Sequence, residues 1–281
     1  MKKYWAALLI GGLCLLAACA NLTTTAAVSP PVPPAGAPLA AEAVKPVYQF
    51  DTLSAQERFT AGDGTELAYY SYQLLTMTVE NMDELAPGEA ETAARNMESF
   101  NDRMSGLMEE SVDRGRLMGE DAQEVYLLGS AALSYYDETE TSYYQAGRLV
   151  SVRLDAAGFT GGAHPNSYTS SLLFDLGTGQ FIDPTQIAED PEAFRTGAAA
   201  LLLEQAEALD QRSEFWPEYA EIIASWNEGT VLFDQEGMLA VFSHYVLGPY
   251  SMGTVELRLD YGQLADLVGA GGMARLGIAE P

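Results

Sequence analysis

Cysteine and lysine are nearly absent from this chain of 281 residues. The two cysteines, Cys14 and Cys19, both fall within the first 20 residues. Everything after them lacks a thiol for a disulfide, a nucleophile or a zinc site. The fold must therefore rest on its core, and a hydrophobic fraction of 48% supplies one. Lysine occurs only at Lys2, Lys3 and Lys45, and 14 Lys+Arg stand against 40 Asp+Glu, a net charge of −26. Such a chain repels nucleic acid and anionic membrane surfaces and attracts cationic partners and divalent cations. Solubility alone also accounts for an acidic surface. No G-x-S-x-G elbow, H-E-x-x-H helix, Walker A loop or G-x-G-x-x-G turn occurs, so no catalytic residue and no cofactor is expected.

Histidine is equally sparse, with His164 and His244 on different expected hairpins. Joined by a carboxylate they could bind metal, but they lack any fixed ligand spacing. The plainer reading has His164 bonding backbone groups in its loop and His244 capping a hairpin end. No metal site is expected.

What is present begins with an export signal over residues 1–18. Lys2 and Lys3 precede an apolar run, Ala6 to Leu16, too short to span a membrane comfortably. Leu16-Ala17-Ala18-Cys19 has the form of a bacterial lipobox, in which the cysteine is acylated and becomes the N-terminus. An ordinary signal peptide or an uncleaved anchor is the alternative. The expectation is an extracytoplasmic protein held to a membrane by lipid on Cys19. Residues 19–47, rich in Pro, Ala and Thr, form a tether, with Ser29-Pro30-Pro31-Val32-Pro33-Pro34 favouring polyproline II.

Residues 48–66 show no clear pattern beyond a loop at Gly62-Asp63-Gly64, and Leu67–Val79 reads as a long strand. Pro87-Gly88 opens a helix whose stripe runs through Ala93, Met97, Phe100, Met104, Met108 and Val112. Its methionines are read as core filling, with a ligand groove as the alternative. A further short helix covers Asp121–Leu128, and residues 132–144 are strand-like, with Asp137, Glu138 and Glu140 on an exposed face. Paired carboxylates of a glycosidase are the competing reading of that acidic run. Val150–Ala156 and Tyr168–Leu176 alternate as half-buried strands. Asp190 and Pro191 start one helix, and Pro217 a second that Gly229 closes after Trp226. Val231–Phe233 and Met238–Phe242 flank a hairpin turn, Val255–Leu259 forms the last strand, and Tyr261–Val268 a short helix before a frayed end. These elements define an α+β fold, an antiparallel sheet with helices packed on it, in two subregions forming one compact unit. The expected boundaries are an N-terminal subdomain over 48–128, a C-terminal domain over 129–268 and a tail over 269–281.

The connection between the two alternating strands, Gly161-Gly162-Ala163-His164-Pro165-Asn166, concentrates polar groups among glycines. Loops on a strand scaffold commonly carry function. Gly161, Gly162, His164, Asn166 and Tyr168 are the candidate binding residues.

The same stretch resembles a known family. Gly161-Gly162-Ala163-His164, Phe174-Asp175-Leu176-Gly177-Thr178-Gly179-Gln180 and Ile182-Asp183-Pro184 are similar to domain of unknown function 3298, the C-terminal domain of RsiV-type anti-sigma factors. Phe233-Asp234-Gln235-Glu236-Gly237-Met238 and Tyr245-Val246-Leu247-Gly248-Pro249-Tyr250-Ser251-Met252-Gly253 resemble its closing hairpin and following loop. Leu67 to Arg116 is similar to the partner domain usually found upstream, domain of unknown function 4163. The resemblance implies a sensor-type binding module, because the RsiV ectodomain binds lysozyme, a cationic protein that suits an acidic chain. Domains related to these also occur beside polysaccharide deacetylases, so an accessory domain or enzyme of cell-wall polysaccharide metabolism is the alternative. The expected partners are the membrane, through Cys19, and a cationic protein or cell-wall ligand. The residues leave the oligomeric state open.

Overall fold

A computed structural model describes residues 44–131, 134–225 and 230–278. The export signal, Cys19, the tether before residue 44 and the helix end at Trp226–Gly229 lie outside the described residues.

The chain begins with a long hairpin. β1 (Tyr48–Thr60) pairs antiparallel with β2 (Glu66–Val79) in unbroken register from Tyr48 opposite Val79 to Phe59 opposite Ala68. The sequence reading missed β1, whose Gln, Asp, Ser and Glu face solvent on a sheet edge and dilute the alternation. α1 (Pro87–Leu127) follows as one helix of 41 residues. A break before Asp121 was expected, but Gly115 and Gly119 do not interrupt the helix. They let it approach the sheet: a Cβ on Gly115 would sit 2.5 Å from the Tyr70 ring, and one on Gly119 2.5 Å from the Phe59 ring. Asn96, 2% exposed, fixes the other end of the helix. Its amide donates to the Tyr48 hydroxyl and the Leu176 carbonyl at 2.8 and 2.7 Å.

Because α1 carries the chain back along β2, β3 (Tyr135–Ala146) pairs with β2 in parallel, from Ala68 opposite Tyr135 to Tyr72 opposite Thr139. The sheet is thus mixed at this one junction and antiparallel elsewhere. β4 (Leu149–Phe159), β5 (Asn166–Asp175) and β6 (Gln180–Ile182) complete six strands in sequential order. One face holds Tyr72, Leu74, Val150, Val152 and Phe174 against Phe100, Met104 and Met108 of α1.

On the other side lies a three-stranded sheet of β7 (Thr230–Phe233), β8 (Gly237–Phe242) and β9 (Val255–Asp260). Phe233, Met238, Ala240, Phe242, Leu257 and Leu259 pack on α2 (Pro191–Glu207), α3 (Tyr219–Ser225) and α4 (Tyr261–Arg275). Asp190 caps α2 as expected, accepting from the amides of Glu192 and Ala193 at 3.1 and 3.0 Å. α4 continues beyond Val268 through a kink at Gly269, and Met273 and Leu276 are buried, so this stretch is packed rather than frayed. The edge of β7 meets the large sheet through hydroxyls. Ser171 donates to the Val231 carbonyl at 2.7 Å, Thr230 to the Thr169 carbonyl at 2.7 Å, and Ser151 accepts from the Phe233 amide at 2.9 Å. An α+β fold results.

Candidate functional site

The β4–β5 connection sits where the ends of both sheets meet. Gly161 and Gly162 adopt φ of +97° and +106°. Nothing lies within 4 Å of a Cβ placed on Gly162, so backbone conformation rather than crowding calls for glycine there. The turn sends His164 across to the loop that follows β8.

One tautomer satisfies both imidazole nitrogens of His164. Nδ1 donates to the Pro165 carbonyl at 2.9 Å, and Nε2 accepts from the Tyr245 hydroxyl at 2.9 Å. The ring stacks on Tyr250 with centroids 3.8 Å apart and planes at 18°. His244 stacks on the same Tyr250 at 4.6 Å and 30°. Its Nδ1 hydrogen-bonds the Ser167 hydroxyl at 3.2 Å. The two histidines, which the sequence left on separate hairpins, therefore converge through one tyrosine.

Tyr245 takes φ of +67°, a left-handed conformation costing a non-glycine residue about 1–2 kcal/mol. Its surroundings hold it there. Trp216 Nε1 donates to the Tyr245 carbonyl at 3.2 Å, and the Trp216 amide donates to the Leu247 carbonyl at 2.8 Å. Tyr245 itself is 51% exposed. Beside it a recess of about 450 Å³ is lined by Trp216, Glu218, Glu221, Ile222, Ser225 and Tyr245. Carboxylates next to aromatic faces suit a cationic side chain, which both attract.

Of the candidate residues, Gly161, Gly162 and His164 meet at this surface. Asn166 and Tyr168 do not join them. They pair with Gly158 and Ala156 and stand on the opposite face of the sheet, in the row of Ala156 and Thr139. The intervening Ser167 and Thr169 are the β5 residues that turn toward the cluster: the Thr169 amide donates to Ser243 Oγ at 3.0 Å. Sequence reasoning did not select Tyr245, Tyr250 or Trp216. The available signal was three aromatic residues beside turn-forming prolines and glycines.

Of the acidic run expected on an exposed face of β3, Asp137 instead turns toward α1, and its side chain is only 16% exposed. The Tyr72 hydroxyl and Arg114 Nε donate to the same Asp137 oxygen at 2.7 and 2.8 Å. Burial and the Asp137 carboxylate push the Tyr72 phenol well above its ordinary value. Among the described residues, no three His, Cys, Asp or Glu side chains are placed to hold a metal ion.

The described residues thus form an α+β domain with its aromatic–imidazole surface at the junction of two sheets. That fold occurs among solved structures. A member of the domain of unknown function 3298 family from Bacteroides fragilis matches with a TM-score of 0.58 and 16% identity, over 83% of this chain and 97% of that one. A protein of that family from Pseudomonas aeruginosa gives a TM-score of 0.49 and 18% identity over 80% and 96% of the two chains. At 16% identity the likeness to the Bacteroides fragilis structure is one of fold. No family model and no curated protein matches the sequence.

Proposed function

We propose that this chain is a lipid-anchored, extracytoplasmic binding module of the bacterial cell envelope that recognises a cationic protein, with lysozyme as the first to test. The observation that carries this reading is the convergence of His164, Tyr245, Tyr250 and Trp216 beside Glu218 and Glu221. Aromatic rings held rigid by their neighbours make recognition anchors at low entropic cost, and carboxylates beside them select for positive charge. A net charge of −26 steers a cationic partner from a distance. The lipobox at Leu16–Cys19 supports anchoring, and the likeness of Leu67–Arg116 to domain of unknown function 4163 supports the sensor-type class. On this reading Gly161 and Gly162 shape the turn and His164 contacts the partner.

Calorimetry of the purified chain with lysozyme tests it. Binding weakens as salt rises, and His164→Ala and Tyr245→Ala each weaken it by about tenfold or more, with folding retained. Intact binding in both variants, or no binding to the wild-type chain, sinks the reading. Cys19→Ala should release the protein from membranes; unchanged fractionation and mass would refute the anchor.

One observation favours the alternative, an accessory domain of cell-wall polysaccharide metabolism. Exposed Tyr245 beside Trp216 offers flat apolar faces of the kind that stack on sugar rings. Salt-independent binding of cell-wall glycan fragments, lost in Tyr245→Ala, would favour it.

A further inference from the structure

A second unpartnered surface lies along the C-terminal part of α1. From Glu110 to the capping residue Leu128 the helix forms one wall of a groove of about 890 Å³, and Tyr135 at the start of β3 and Thr160 just beyond β4 form the other. The last buried residue of the helix is Ala122. Leu117 and Leu128 are 62% and 79% exposed, and both line the groove. Leu117, Asp121, Glu124 and Leu128 follow one another at intervals of four, three and four, so they form a single stripe on the helix. The stripe spans about 16 Å, with carboxylates in its middle and leucines at both ends. Asp113 and Glu110 extend the acidic rim by two turns. Arg114 is the cation among the lining residues, and its Nε is committed to Asp137 at 2.8 Å.

We propose that this groove docks a cationic amphipathic helix of another protein. Its apolar side chains seat on Leu117, Val125 and Leu128, and its lysines or arginines meet Asp113, Asp121 and Glu124. Charge complementarity selects this occupant over two others. A second copy of the chain would bring a like charge of −26 against the acidic rim. The chain's own residues 20–43 contain no Lys or Arg to answer the carboxylates. Helix-in-groove recognition uses apolar anchors at this spacing. The groove is separate from the His164–Tyr245 surface, and its test does not depend on that surface.

Fluorescence anisotropy with a labelled designed helix, leucine on one face and lysine on the other, measures docking to the full chain. Asp121→Lys with Glu124→Lys should weaken binding by roughly tenfold or more, because two attractions become repulsions. Leu117→Ser with Leu128→Ser should weaken it by several-fold, from lost apolar burial. All four side chains are exposed, so folding should survive, as circular dichroism will verify. A matched reversal, Glu98→Lys with Asp102→Lys, lies on the N-terminal half of the same helix and should leave binding nearly unchanged. His164→Ala and Tyr245→Ala should also leave it unchanged. Equal weakening by the matched pair would mean only general attraction and would overturn the groove. So would unchanged binding in either groove variant, or loss of binding in the His164 or Tyr245 variant.

Discussion

β8, at the centre of the small sheet, and β2, in the large sheet, meet their helices by different means. β8 is buried at every position from Gly237 to Phe242, with aliphatic and aromatic side chains covered on both faces. Its inward face packs on α2 and α4, and Leu239 and Val241 join Leu232 in a separate buried cluster. β2 also lies under a helix, but it reaches α1 partly through polar groups. Tyr72 and Arg114 share Asp137, and Asn101 of α1 accepts from the Met77 amide at 2.7 Å and donates to the Met77 carbonyl at 2.9 Å. A fully covered strand needs only hydrophobic packing. A long helix on an open sheet needs directional bonds to fix its position, because apolar contact alone allows sliding.

Substitutions can break or sharpen this contrast. Phe242→Ala, at a side chain 1% exposed in the small sheet, should cost about 3–5 kcal/mol in denaturant unfolding. A loss smaller than that of the polar substitutions below would undo the comparison. Asn96→Ala removes the bridge between α1, Tyr48 and Leu176 and leaves that carbonyl without its partner, for about 1–3 kcal/mol. Hydrogen exchange should show faster opening at the start of α1, and an unchanged pattern there would count against polar pinning. Gly115→Ala combines a gain in helix propensity of about 1 kcal/mol with a clash against Tyr70 and Tyr72, for a net loss of roughly 1 kcal/mol. A more stable protein would show that the helix can shift away from the sheet.

The smallest effect concerns the β7–β8 turn, where a polar device serves the apolar half. Burial raises the Asp234 carboxyl, but the Arg258 guanidinium at 2.6 Å and the Glu236 and Gly237 amides outweigh it and hold the group below its ordinary value. A depressed carboxylate contributes stability above the unfolded-state value of 3.8, lost as pH falls through the folded-state value. Arg258→Met should therefore lower the melting midpoint at neutral pH by about 1–3 °C, with the difference from wild type fading below that range. A difference that persists in acid would assign the effect to lost packing of the arginine stem.

Much of the fold was legible in the residues. β4 and β5 alternate because α1 covers their apolar face while Ser151 and Ser171 on the other face meet β7 through hydroxyls, and Asp190 with Pro191 marks a helix start through local hydrogen bonds. β1 was not legible, since as an edge strand it exposes polar side chains at many positions. The continuity of α1 was also hidden, because its apolar stripe runs out at Val112, and Gly115 and Gly119 show their use only with Tyr70 and Phe59 against them. For the candidate site, glycine content located the turn. The period of a strand then placed Asn166 and Tyr168 on the far face once β5 proved to begin at Asn166.

By itself the sequence determined the chemistry on offer: no thiol after Cys19, two histidines, a large negative charge, and strands and helices whose apolar periods follow from local geometry. The tertiary structure alone decided which groups meet. His164 and Tyr245 are 81 residues apart and hydrogen-bond at 2.9 Å only because two sheets pack edge against face. Periodicity says which side of an element a residue occupies, and only packing between elements says what it faces there.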